Sequence, residues 1–161
     1  MTDTVKTILL LGSGGREHAL AWKMAQSPLV TQIWALPGSD GIATVDKTIC
    51  LSGNAADPDF VVKTARELSP DLIFIGPEAP LAAGVADALE AAAFPVVGPS
   101  KVAAQLESSK IFAKEFMTEF GIPTAPYKVA DSYIAAETQC GKWDIEKKGI
   151  VIKADGLSAG K

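Results

Sequence analysis

The residues from 8 to 20 read Ile8-Leu9-Leu10-Leu11-Gly12-Ser13-Gly14-Gly15-Arg16-Glu17-His18-Ala19-Leu20. An apolar run enters a glycine-rich turn, and helix-forming residues follow at once. Glycines let the backbone approach a ligand closely. The open N–H groups and positive end of the following helix favour an anion, most often a phosphate. Arg16 and His18 fall in that first turn, so both donors are expected to face the same anion. The pattern therefore predicts a site for a phosphorylated small molecule near the N-terminus. A dinucleotide fingerprint fits less well, because it requires a third glycine three residues after the second. Counted from Gly14, that position is Glu17. The second strand, Gln32–Ala35, runs into Leu36-Pro37-Gly38, with no carboxylate for a ribose before Asp40. The bland alternative is a tight turn with no ligand.

Other positions offer complementary chemistry. Glu78, within Gly76-Pro77-Glu78-Ala79-Pro80, places a carboxylate in a turn stiffened by two prolines. It is suited to accept from ribose hydroxyls or an amine, against the alternative of an acid that merely complements a helix dipole. The Pro37-Gly38-Ser39-Asp40-Gly41 turn is a third candidate loop. Lys110 and Lys153 form a second constellation, with Lys153 closing the apolar run Ile150-Val151-Ile152. Lys161 ends a Gly-Leu-Ser-Ala-Gly-Lys stretch suited to covering phosphate. It is not a Walker A loop, since the glycine required six residues before the lysine is absent.

These residues need a scaffold, and the rest of the chain supplies one. Its 161 residues are 48% hydrophobic, enough for one packed domain, or one domain and part of another. A net charge of −4 provides no basic field for nucleic acid. Cys50 and Cys140 match no metal spacing and read as reduced thiols of a cytoplasmic protein. The N-terminus reads as neither a signal peptide nor a membrane span. Strands are expected at Thr7–Leu11, Gln32–Ala35, Thr48–Leu51, Leu72–Ile75 and Pro95–Val97. Helices are expected at Arg16–Met24, Asp59–Leu68 and Leu81–Ala92, with Asp57-Pro58 as a helix start. The alternation predicts a doubly wound α/β domain with a parallel sheet, ligands binding at the carboxyl ends of its strands. After Gly98-Pro99 the pattern changes. A helix is expected over Ser109–Phe120 and another over Asp131–Gln139, with strands at Pro126–Val129 and Ile150–Lys153. The division predicted is one domain over 1–100 and the beginning of a second over 101–161.

Four stretches carry a resemblance to a known family. They are Gly12 to Lys23, Gly76 to Leu81, Ala104-Gln105-Leu106-Glu107-Ser108-Ser109-Lys110, and Val151 to Lys161. Together, and in this order, the chain resembles the phosphoribosylamine–glycine ligases of the ATP-grasp superfamily. Its chains are more than twice this length. The resemblance implies a Rossmann-like (pre-ATP-grasp) sheet domain followed by the start of an ATP-grasp domain. It implies ATP-dependent ligation of 5-phosphoribosylamine and glycine in purine synthesis, through a glycyl phosphate. Residues carried over by motif as substrate-binding are Gly14, Gly15, Arg16, Glu17, His18, Pro37, Gly38, Gly76, Pro77 and Glu78. Those carried over for ATP are Lys110, Lys153, Asp155, Gly156, Gly160 and Lys161. Mg²⁺ is implied, with its ligands beyond residue 161, so the catalytic centre is expected to lie outside this chain and the fragment to be inactive alone. Ser39-Asp40 departs from the family pattern of Asn and a small residue, and Ser108 stands where Gly is frequent. His18, the sole histidine, is expected to position rather than act as a base. Two alternatives are another ATP-grasp enzyme of purine synthesis and a non-catalytic nucleotide-binding module. Fusion to other purine enzymes and the oligomeric state are left open.

Overall fold

A computed structural model describes residues 6–143 and 149–157. Within it the chain separates into two compact units, one ending at Ala104 and the other starting at Gln105.

The first unit is built on β1 (Lys6–Gly12). Leu9, Leu10 and Leu11 are fully buried, as an uninterrupted apolar run must be when a strand is covered on both faces. β1 is the central strand. On one side it pairs with β2 (Val30–Pro37), which pairs in turn with β3 (Thr48–Cys50). On the other it pairs with β4 (Leu72–Ile75), followed by β5 (Val96–Val97). All four pairings are parallel and the order is β3-β2-β1-β4-β5. The order reverses around β1, so the carboxyl end of β1 lies at the topological switch point where such sheets bind ligands.

Helices cover both faces. α1 (Gly15–Ala25) follows β1, and the one-turn α2 (Asp40–Ala43) follows β2. Ile8, Leu10, Ile33 and Ala35 pack with Ala21 and Ile42 on that face. The alternate residues Leu9, Leu11, Leu36, Ile73 and Ile75 pack on the other. They meet α3 (Pro58–Leu68), α4 (Glu78–Ala83) and α5 (Val85–Ala91) through Val61, Ala65, Leu81, Val85 and Leu89. Each fully buried aliphatic side chain contributes roughly 1.5–3 kcal/mol. α3 starts as expected: Asp57 accepts from the Phe60 N–H at 3.1 Å, and Pro58 occupies the first helical position. The single helix expected over Leu81–Ala92 is instead two. Gly84 turns left-handed (φ 91°) and divides α4 from α5, and α4 begins three residues earlier than expected. At the opposite end of the sheet, Asp71 accepts from the Thr7 N–H at 2.8 Å and from its hydroxyl at 3.0 Å. Those two bonds, with Lys6 nearby, hold the Asp71 carboxyl below its ordinary range.

The second unit contains the one-turn α6 (Gln105–Ser108), α7 (Lys110–Glu119) and α8 (Tyr133–Cys140). Ser109 caps α7 by accepting from the Phe112 N–H at 3.1 Å. Along α7, Phe112 and Phe116 stack with ring centroids 6.3 Å apart, and Phe120 at the C-cap lies tilted against Phe116 at 4.5 Å. The strands expected at Pro126–Val129 and Ile150–Lys153 do not form. A strand is stable only when a neighbour completes its hydrogen-bond ladder. Here Val129, Val151 and Ile152 remain 46, 77 and 75% exposed, without sheet pairing.

Candidate functional site

The loops after β1, β2, β3 and β4 meet at one end of the sheet around a cleft of about 490 Å³. Its floor is the turn leaving β1. Gly12 there has φ 127°, which side-chain-bearing residues rarely adopt, and a Cβ at Gly12 would lie 2.5 Å from Glu17 Cγ. Glu17 is 3% exposed, and its Oε2 accepts the Gly14 N–H at 2.7 Å. A glutamate at the third helical position returning to the N-cap N–H is one half of a capping box. A Cβ at Gly76, in the loop after β4, would collide with Glu17 Oε1. Glu17, expected among the ligand contacts, therefore lies at the base of the cleft between two loops.

Gly15 opens α1. Its exposed Cα has no heavy atom within 4 Å of where a Cβ would stand, so this side of the turn is clear for a ligand. The intrahelical ladder begins with His18 N–H to Gly14 O at 3.0 Å. The Gly15 N–H precedes it, in the first turn, where a helix has no acceptor of its own to offer. Arg16 reaches across to the β4 loop: Nη1 donates to Gly76 O at 2.6 Å and Nη2 pairs with Glu78 Oε1 at 3.0 Å. The Glu78 carboxyl is held below the ordinary glutamate range, first by its own backbone N–H and then by Arg16. Pro77 precedes Glu78 and also lines the cleft.

Arg16 and His18 do not face one anion. Positions two apart on a helix point in different directions. The half-buried His18 ring packs against Gly41 of α2, whose added Cβ would stand 3.1 Å from Nδ1. Pro37 lines the cleft, whereas Gly38 serves packing: its N–H donates to Gly12 O at 3.1 Å, and a Cβ there would collide with Cys50 Sγ. Ser39 caps α2, accepting from the Ile42 N–H at 3.4 Å. The loop after β3 enters the cleft through Gly53, Asn54, Ala55 and Ala56, none of which the sequence reading selected. The available signal was Gly53-Asn54 just beyond an apolar strand; Asn54 Oδ1 accepts the Ala56 N–H at 3.0 Å and shapes the turn.

In the second unit, Lys110, Asp155 and Gly156 come together. Asp155 Oδ1 accepts the Lys110 N–H at 2.6 Å and the Ile111 N–H at 3.2 Å, while the Ser109 hydroxyl donates to Oδ2 at 3.1 Å. These bonds, led by the Ile111 N–H, hold the Asp155 carboxyl below its ordinary range. Lys110 Nζ donates to Gly156 O at 2.5 Å. Lys153 is exposed and lies outside any strand. Gly160 and Lys161 lie outside the described residues. Among the described residues no three His, Cys, Asp or Glu side chains are grouped to hold a metal, and no helix is long and apolar enough to cross a membrane.

Comparison with known proteins gives a consistent result over the whole chain. The family model described as phosphoribosylglycinamide synthetase, N domain, matches residues 6–107, and that of the ATP-grasp (A) domain matches residues 108–161. Phosphoribosylamine–glycine ligase of Agrobacterium fabrum is 50% identical over 154 residues, covering 96% of this chain and 35% of the relative. The trifunctional purine biosynthetic protein adenosine-3 of Drosophila melanogaster is 46% identical over 160 residues, covering 96% of this chain and 12% of that protein. The crystal structure of phosphoribosylamine–glycine ligase from Thermotoga maritima superposes with a TM-score of 0.72 at 29% identity, covering 96% of this chain and 34% of that one. The biotin carboxylase domain of Hydrogenobacter thermophilus 2-oxoglutarate carboxylase shares the fold, with a TM-score of 0.65 at 18% identity. The chain spans about a third of the length of the curated ligases it matches.

Proposed function

The chain belongs to the phosphoribosylglycinamide synthetase family, and on that premise we propose that it forms part of an ATP-dependent ligase joining 5-phosphoribosylamine to glycine. The first unit is the phosphoribosylamine-binding domain, and the second begins the ATP-grasp domain. The observation that carries this reading is the cleft at the switch point. It joins the exposed helix N-terminus at Gly14 and Gly15, suited to a phosphate, to the Arg16–Glu78 pair, suited to the rest of a phosphosugar. The 5-phosphate lies over Gly14 and Gly15, where the Gly15 N–H and the positive end of α1 receive it. Glu78 accepts from ribose hydroxyls or the amine, with Gly76 and Pro77 shaping its loop and Pro37 forming the opposite wall. His18 and Gly38 act from behind, by packing.

The reaction class follows from the substrates. A carboxylate oxygen of glycine attacks the γ-phosphorus of ATP, and ADP leaves. The phosphoribosylamine nitrogen then attacks the acyl carbon of glycyl phosphate. Phosphate departs, the amine gives up a proton, and the amide of glycinamide ribonucleotide remains. An acyl phosphate is short-lived in water, so a closing glycine-rich segment suits the chemistry. Lys110, Lys153 and the Gly160-Lys161 segment neutralise ATP phosphates. Asp155 and Gly156 are themselves held at Lys110. The family implies Mg²⁺, with ligands expected beyond residue 161, and no step is assigned to it here. Residues 1–161 alone are proposed to bind phosphosugar without turnover, in keeping with their share of the related chains. Small molecules rather than nucleic acid as partners fit the acidic net charge, and a cytoplasmic location is proposed with the family reading.

Titration calorimetry of this chain with ribose 5-phosphate tests the reading. Saturable binding that Arg16→Ala weakens is expected. Absence of binding by the wild-type chain overturns it.

A further inference from the structure

Two neighbouring residues of α1 reach the loop after β4 by different routes. Arg16 passes on the exposed side to Gly76 O and Glu78. Glu17 passes beneath, where Gly12, Gly14 and Gly76 close around its side chain. The missing Cβ atoms of Gly12 and Gly76 provide the room that the glutamate occupies. One carboxyl thus fills the space between two loops that sequence places far apart, and it ties one of them down through Gly14.

We propose that Glu17 is a positioning residue for the phosphosugar: it sets the separation between the β1–α1 turn and the β4–α4 loop. That separation fixes the distance between the phosphate end and the ribose end of the cleft. The inference rests on the phosphosugar reading above. Burying a carboxyl is unfavourable unless it is hydrogen-bonded, and an aliphatic side chain of similar size would fill the same space without that cost. What the carboxyl adds is the bond to Gly14 N–H, which orients the turn. With that N–H engaged, the exposed Gly15 is the next point of the turn that an anion can approach, so Glu17 also decides where along the turn the phosphate lies.

Three variants separate positioning from direct contact. Glu17→Gln keeps the size and one acceptor oxygen. Glu17→Met keeps the size without an acceptor, and Glu17→Ala removes both. In ribose 5-phosphate titrations of this chain, Gln is expected to bind within about threefold of wild type, while Met and Ala bind about tenfold weaker or worse, the scale of one lost charge-assisted bond. Amide exchange at Gly76 and Glu78, on the other loop, should accelerate in Met and Ala but not in Gln. In the full-length enzyme, the KM for phosphoribosylamine should rise in Met while that for ATP holds. A loss of global stability alone would not divide the two substrates in this way. Unchanged exchange at Gly76 and Glu78 in the Met variant overturns the proposal. So does Gln binding as poorly as Ala, which would place Glu17 in direct contact with the ligand. If the wild-type chain fails to bind ribose 5-phosphate, the substrate reading falls, and the exchange measurement alone still decides whether Glu17 spaces the loops.

Discussion

Arg16 and Glu78, 62 positions apart in the chain, are joined by a 3.0 Å ion pair across the mouth of the cleft. The pair is partly exposed on both sides, so it contributes little to stability. Its consequence is placement: a cation and an anion are held at the rim, and a phosphosugar needs both.

Removing either partner should therefore show in binding more than in folding. Arg16→Ala is expected to weaken ribose 5-phosphate about tenfold, the scale of a charge-assisted bond to phosphate. Its melting temperature should stay close to wild type. Calorimetry beside a thermal melt checks both, and an equal affinity would remove Arg16 from the site.

The pH dependence follows from the direction of the Glu78 shift. A carboxyl held below its ordinary value of 4.5 stabilises the fold while ionised. That contribution is complete above the ordinary value and disappears as the pH falls through the lowered one. Between neutral pH and about pH 3, Glu78→Gln should flatten the fall in melting temperature slightly, and high salt should shrink the difference.

Asp155 offers a test within the second unit. It accepts the first N–H groups of α7, so Asp155→Ala should speed amide exchange at Lys110 and Ile111. Asp155→Asn, itself a good N-cap residue, should restore much of the protection. Exchange unchanged in the alanine variant would mean that Ser109 alone caps the helix.

Lys153 and Lys110 differ in their surroundings, and ATP binding should reflect it. In the full-length enzyme Lys153→Ala is expected to weaken ATP about tenfold or more while leaving phosphoribosylamine binding within error. Lys110→Ala should also free the Gly156 carbonyl and loosen the loop, seen as faster exchange near residue 156. Nucleotide binding unaffected by both changes would remove the two lysines from the ATP site.

The core makes a simpler prediction. Leu10 is fully buried among Ile8, Ile33 and Ala35, and Leu10→Ala should cost about 2–5 kcal/mol in chemical denaturation.

Features whose physics is local were legible in the residues themselves. The buried central strand follows from an apolar run that no half-exposed strand would carry. The start of α3 follows from Asp57-Pro58, where cap and fixed φ act within one turn. The glycine turn announced the site for the same reason, since both its conformational freedom and the helix behind it lie within a few residues. What only the tertiary structure decided depends on partners distant in sequence. The packing of Glu17 against Gly76 and the pairing of Arg16 with Glu78 each join residues about sixty positions apart, which no local pattern can announce. His18 lies two residues beyond Arg16, and helical rotation sends it to α2 instead of the cleft. The loop at Gly53 and Asn54 joins the site only because β3 lies next to β2 in the sheet. Conversely, 126–129 and 150–153 carry aromatic and β-branched residues that suit strands, but among the described residues no neighbour pairs with them. A ladder is a property of two segments, and neither segment's own residues can supply it.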